Sequence, residues 1–239
     1  VAVLLVISFG PVELWRVPML FSNSENMREF ASSYLNPDFG DWRDYVGQMW
    51  LTVQMALWGT LGALVIAVPL GLIAARNIAP AWVQQPVRRL LDLLRSVPDL
   101  VVGTVFIVAV GLGPFAGVLA LAVNTGGVLG KLFSEAVETV DPRPVEGVRA
   151  TGAAPLQQIV WGMLPQVAPL WTSYALYRFE SNARSATVLG LIGAGGIGQL
   201  LFQEINAFHY RQTAAIVYVI IVAVTLIDLL SQVMRSRLT

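Results

Sequence analysis

The chain is predicted to be an all-α integral membrane protein, and three observations carry that reading. Of its 239 residues 56% are hydrophobic and only 13% charged, and the mean hydropathy is +0.66, well away from the balance of a soluble domain. Acidic and basic residues are absent from Val46 to Ala75, Leu100 to Gly130, Ala150 to Tyr177 and Gln212 to Ile227. A helix needs roughly 20 apolar residues to cross a bilayer core, and these gaps are of that order. The charges gather between the gaps, where loops and interfaces belong.

Taken in order, the pattern suggests about six spans in one domain covering residues 1–239. Val1–Phe9 is apolar but short, so it is expected to be a first span cut at its inner end; it lacks the basic start and the small-residue cleavage pattern of a signal peptide. Residues 13–44 carry Glu13, Glu25, Glu29, Asp38, Asp41 and Asp44 and form an external loop, with a short amphipathic helix near Ser24–Tyr34. Val46–Ala75 is a second span, long enough to tilt. A third covers Val87–Val110, beginning with Arg88, Arg89, Asp92 and Arg95 and broken after Val110 by Gly111-Leu112-Gly113-Pro114. The fourth runs over Phe115–Val137. A polar, mostly helical loop occupies 138–160, followed by a fifth span to Asn182, a Gly-rich segment over 183–210 and a sixth span over Arg211–Met234.

Several function classes fall away. Net charge is zero, so no basic surface for nucleic acid is present. There is no cysteine for disulfides or thiolate metal sites, and the single histidine, His209, has no companion ligand at metal-site spacing. Gly193, Gly195 and Gly198 satisfy G-x-G-x-x-G, but a dinucleotide fold needs alternating strands and helices afterwards, whereas a charge-free span follows. In a membrane protein such glycines allow a broken helix or close helix approach. No nucleophile–base set and no P-loop is visible, so the chain is not expected to be an enzyme.

The loop Glu146–Pro165 reads EGVRATGAAPLQQIVWGMLP. Glu146, Gly152 and the Leu164-Pro165 pair resemble the E-A-A…G…L-P loop of permease subunits in binding-protein-dependent ABC importers. Gly147 and Val148 stand for the two alanines, and Gly162 for an aliphatic residue. A second stretch, YRFESNARSATVLGLIGAGGIGQLL over Tyr177–Leu201, resembles the phosphonate importer branch of that family. The resemblance implies the type I ABC importer transmembrane fold. It makes 138–160 a coupling loop, with Glu146, Gly147, Gly152, Leu164 and Pro165 meeting the ATPase, and makes Gly193, Gly195, Gly196 and Gly198 part of an outer gate. It also implies ABC ATPase subunits carrying the ATP and Mg, a periplasmic or lipid-anchored substrate-binding protein and a second permease, the simplest assembly being a homodimer. No cofactor is expected on this chain itself.

With that loop cytoplasmic, nine basic residues lie inside (Arg76, Arg88, Arg89, Arg95, Lys131, Arg143, Arg149, Arg235 and Arg237) against six outside (Arg16, Arg28, Arg43, Arg178, Arg184 and Arg211). The C-terminus is therefore expected in the cytoplasm and the chain in a bacterial inner membrane. At 1.5 Å per residue, Arg178 stands about 20 Å and Arg184 about 28 Å above Pro165, which puts Arg178 in the outer half of the bilayer. An ionised group there needs a pathway or a partner. Arg178, Glu180, Asn182 and Arg184 are the pathway candidates, because a guanidinium matches a phosphonate or phosphate oxyanion in a way lysine does not. The structural alternative is an internal pair, Glu180 with Arg184 at i,i+4 or Arg178 with Glu180. Ser96-Val97-Pro98-Asp99 resembles a kinked permease segment, with Asp99 either at the pathway, at the boundary or paired to Arg95. Asn124 and Thr125 are read as interhelical hydrogen-bonding groups, and Trp15, Trp50, Trp82, Trp161 and Trp171 as interfacial anchors. Other cargoes in the same family (phosphite, phosphate, methionine) and, more distantly, an ion-coupled secondary carrier stay open; the carrier would need inverted repeats or intramembrane carboxylates.

Overall fold

The longest charge-free interval becomes the longest helix. In the computed structural model, which describes residues 9–19 and 24–236, α2 runs over Trp42–Ala74, about 50 Å at 1.5 Å per residue. It lies against α5 (Pro114–Glu138) along most of its length. Small residues make this possible. A Cβ on Gly59 would sit 2.6 Å from Leu121, and one on Gly71 would sit 2.9 Å from Phe133 and 3.0 Å from the Gly130 carbonyl. Such close approach is how membrane helices associate where no hydrophobic drive separates protein from lipid. Around this pair stand α3 (Ala81–Ser96), α4 (Asp99–Val110), α8 (Leu164–Leu189) and α10 (Tyr210–Arg235). The described residues contain no strand.

On length and hydropathy α2, α5 and α10 can each cross a membrane, and two bent helix pairs raise the number to five. The first span expected at Val1–Phe9 lies almost wholly outside the described residues, as does Arg237. The external loop forms α1 over Ser24–Leu35, pinned where α10 begins: Tyr218 Oη donates to the Tyr34 carbonyl (2.9 Å) and Arg211 Nε to the Asn36 carbonyl (3.0 Å).

The third span bends at the kinked segment: α3 and α4 meet at 92° around Val97-Pro98. Proline lacks an N–H and pushes the preceding residue into extended backbone, and Val97 has ψ 126°. The fifth span continues seven residues past Asn182, to Leu189, so Ala183–Leu189 is helix rather than part of the Gly-rich loop. Its polar side chains are matched between helices, which removes the reason to expel them from the bundle. Trp171 is likewise not an interfacial anchor. It is buried and stacks on Phe133 with ring centroids 4.3 Å apart, in a core with Ala67, Leu129, Val137 and Val167.

After Leu189 a π-helical turn over Gly190–Ala194 leads into α9 (Gly196–Asn206), bent 58° from the preceding helix. Gly193, Gly195 and Gly196 have φ of 98°, 83° and 73°, a left-handed region that a Cβ disfavours. Contact matters as much as conformation. A Cβ on Gly198 would stand 1.8 Å from the Thr187 carbonyl, so the start of α9 touches the end of α8 backbone to backbone. Ile197 N–H donates to Thr52 Oγ1 (2.9 Å) and Gly113 N–H to the Gly193 carbonyl (3.1 Å), tying the bend to α2 and to the start of α5.

Candidate functional site

The polar loop after α5 folds as two short helices, α6 (Pro142–Ala150) and α7 (Pro155–Gln158), followed by a π-helical turn over Ile159–Met163 that enters α8. Asp141 caps α6 by accepting from Arg143 N–H (3.0 Å), and Gln157 Oε1 accepts from Ala154 N–H (2.8 Å) at the start of α7. Between them Gly152 takes φ 80°. Glycine is required there by the turn itself, since nothing lies within 4 Å of where its Cβ would be. Glu146 and Gly147 are exposed, Leu164 packs partly into the core and Pro165 opens α8. Gly162, the departure from the family pattern, has a local cause: a Cβ there would meet the Val145 backbone at 3.0 Å, so α6 seats directly on the entry to α8. The outward side is a groove of about 640 Å³ lined in part by Gly147, Val148, Gly152 and Trp161. An exposed helical projection with a groove beside it can dock a partner and transmit displacement into α8.

The four polar residues of α8 split into two sets. Glu180 is buried and accepts from Arg184 (3.0 Å) and from Arg235 on α10 (3.4 Å), while Arg184 also reaches Asp228 on α10 (3.4 Å). These charges neutralise one another and fasten α8 to α10. Arg178 points elsewhere. Its Nη2 donates to Thr125 Oγ1 (3.2 Å), Thr125 donates to Asn182 Oδ1 (2.7 Å), Asn182 Nδ2 donates to Thr60 Oγ1 (2.9 Å), and Thr60 donates to the Ala56 carbonyl (2.7 Å). Every donor in this chain meets one acceptor, so it joins α8, α5 and α2 in a fixed order. Asn182 is 1% exposed, which makes the network part of the bundle's interior.

Arg178 therefore forms no ion pair with Glu180, and its Nε is buried without a hydrogen-bond partner among the described residues. Asp99 opens α4 at the kink. The Asp99 carboxylate accepts from Ser185 Oγ (2.7 Å), and Arg95 pairs with Asp92 instead (3.0 Å). Asn124 Nδ2 donates to the Val97 carbonyl (2.9 Å) and holds the kink against α5. A buried guanidinium with donor capacity to spare inside a helical bundle has the geometry to receive an oxyanion. Among the described residues no group of His, Asp or Glu side chains converges as a metal site.

Glu180 meets Arg235, in the last turn of α10, and Arg184 meets Asp228, where the charge-free run of α10 stops. Arg184 and its neighbours on α8 thus lie level with the last turns of α10, while α5 extends past that end: Thr125 is thirteen residues before the end of α5, about 20 Å.

Thr125, Thr60, Asp99 and Ser185 complete the site, and spacing rules could not find them all. Thr125 and Asn182 are 57 residues apart and Thr60 and Asn182 are 122 apart. The signal within reach was Pro98, which marks the kink holding Asp99.

Comparison with known proteins adds three findings. Residues 67–239 match the family model described as binding-protein-dependent transport system inner membrane component. The chain is 41% identical over 239 residues to the phosphite transport system permease protein PtxC of Stutzerimonas stutzeri, covering 97% of this chain and 87% of that one. It is 59% identical over 119 residues to the putative cryptic phosphonate transport system permease protein PhnE2 of Escherichia coli K12, covering 50% of this chain and 98% of that one. Among solved structures it resembles the permease fold in inward facing conformations of the MetNI methionine ABC transporter, with a TM-score of 0.71 at 23% identity over 81% of this chain and 95% of that one. That likeness speaks for the fold alone.

Proposed function

The chain belongs to the binding-protein-dependent transport system inner membrane components, and on that premise we propose that it is the translocation subunit of an ATP-driven importer of phosphonate-like oxyanions. The observation that carries the cargo class is Arg178: its buried guanidinium Nε has no hydrogen-bond partner among the described residues, whereas the other charges of α8, Glu180 and Arg184, are ion-paired. Relatives named for phosphite and phosphonate transport support the same chemistry. Both cargoes present tetrahedral phosphorus oxyanions, which a planar donor fork recognises through two parallel hydrogen bonds.

In this reading an external binding protein delivers the oxyanion and α6–α7 seats in a groove of a separate ATPase subunit, where ATP and Mg are held. ATPase closure moves α6, and Gly162 transmits the motion into α8 because it leaves no cushion between the two helices. Movement of α8 shifts Arg178 relative to Asp99 on α4, changing which anion the guanidinium meets. The glycine bend over Gly193–Gly198 forms the outer gate. Two copies of the chain make the pathway, with the loop of α6–α7 and the C-terminus both cytoplasmic.

The experiment is to purify the complex from its native membrane, identify the ATPase and binding protein that accompany it, and measure the binding protein's affinity for methylphosphonate, phosphite, phosphate and methionine. Preference for phosphonate or phosphite supports the proposal, and preference for methionine overturns it. Because the chain has no cysteine, single cysteines at Thr151 and Ser236 test the topology directly: labelling from opposite sides would contradict it.

A further inference from the structure

At the inner end of the bundle, α2, α3 and α5 enclose a second polar concavity, a pocket of about 280 Å³ lined by Arg76, Gln85, Arg88, Arg89, Asp92 and Lys131. None of these residues belongs to the Arg178 network. Its charges do not cancel. Glu138 is engaged by the Arg88 side chain and accepts from Arg76 N–H (2.8 Å), while Asp92 receives Lys131 (3.4 Å) and Arg95 (3.0 Å). Two carboxylates thus face five cations. The surplus resides in Arg76, whose guanidinium is 73% exposed and 4.0 Å from Glu138, and in Arg89, which forms no ion pair among the described residues.

The pocket is also stiff. Arg88 Nε donates to the Ala74 carbonyl (2.9 Å), one of the carbonyls left open where α2 ends, and Arg88 and Lys131 are largely covered by neighbouring helices. Asp92 draws Lys131 on α5 toward α3, and Leu91 fills the hollow left by Gly130, where an added Cβ would come within 2.7 Å of it. On its other side α3 exposes Trp82, Leu90 and Leu93, an apolar stripe beside the cations. Guanidinium pairs bind tetrahedral oxyanions, and basic pockets between helices on the inner side of a membrane bind lipid phosphate groups.

We propose that this pocket is a second oxyanion site, taking a phosphate group carried by an anionic phospholipid or free in solution, with Arg76 and Arg89 as its principal contacts. The proposal does not depend on the cargo, because it rests on residues outside the Arg178 network.

The test compares the wild-type permease–ATPase complex with an Arg76→Gln/Arg89→Gln double variant. Both residues are exposed and the Arg88–Glu138 pair is left intact, so the variant retains its packing; Arg43→Gln, at the opposite end, is the control. Retention of phosphatidylglycerol relative to phosphatidylcholine is read by native mass spectrometry, and inorganic phosphate is titrated as competitor and as stabiliser in thermal melts. The expected result is a preference for one of the two phosphate probes that falls about tenfold in the double variant and is unchanged in Arg43→Gln, given the contribution of each basic residue near an anionic surface. Phosphatidylglycerol retention that phosphate does not displace assigns the lipid source, and stabilisation or displacement by phosphate assigns the soluble one. Equal behaviour of wild type and double variant toward both probes would overturn the proposal.

Discussion

Replacing Arg178 separates a pathway role from a structural one, because the structure makes its two costs differ. In the folded bundle the guanidinium donates one hydrogen bond, to Thr125 Oγ1 at 3.2 Å, and forms no ion pair. Arg178→Ala leaves Thr125 still donating to Asn182; it loses one bond to a charged group, about 1.5–3 kcal/mol, but also relieves the desolvation of a buried cation, so the expected net loss of stability is only about 1 kcal/mol. Asp99 keeps its bond from Ser185. Loss of a charge-assisted contact to cargo is larger, about 1.5–3 kcal/mol, or roughly tenfold to a hundredfold in uptake at limiting substrate. Arg178→Lys should fall between, since a point charge restores attraction but not the planar fork. The assay is ATP-dependent phosphonate uptake in proteoliposomes containing the ATPase and binding protein, with melting temperature measured on the same preparations. Full uptake by Arg178→Ala, or lost assembly with normal specific uptake in the surviving complexes, would refute the reasoning.

Four other substitutions probe the remaining parts. Glu180→Gln weakens the clasp between α8 and α10; Arg184 is half exposed and keeps Asp228, so a discounted loss of about 1 kcal/mol is expected in thermal melts, with apparent substrate affinity unchanged. Gly198→Ala places a methyl on the Thr187 carbonyl and should abolish stable expression, whereas Gly147→Ala meets open space and should express and melt like wild type. Gly152→Trp should insert and fold but lose ATPase association or coupled uptake, because its φ of 80° and exposed position tie the turn between α6 and α7 to partner docking; wild-type uptake by a well-expressed variant would contradict that assignment.

How much of this was legible in the sequence depends on the kind of interaction. The helices α2, α5 and α10 follow from uninterrupted apolar runs, since crossing a bilayer is a property of one segment and needs no knowledge of its neighbours. The bend at Val97-Pro98 carried a local signal in its proline, though its angle of 92° did not. The end of α8 was misplaced because Arg184 and Ser185, just after Asn182, look like loop residues. Their polarity is instead absorbed by Asp228 and Asp99, which lie far away in the chain. The same non-locality hid the Arg178–Thr125–Asn182–Thr60 chain.

The most direct test of the central claim is uptake of labelled methylphosphonate by proteoliposomes holding the permease, its ATPase and its binding protein. Accumulation that requires both ATP and the binding protein, is competed by phosphite, and is untouched by ionophores is the expected result. Accumulation driven by an ion gradient without ATP, or competition by methionine but not by phosphite, would contradict the account.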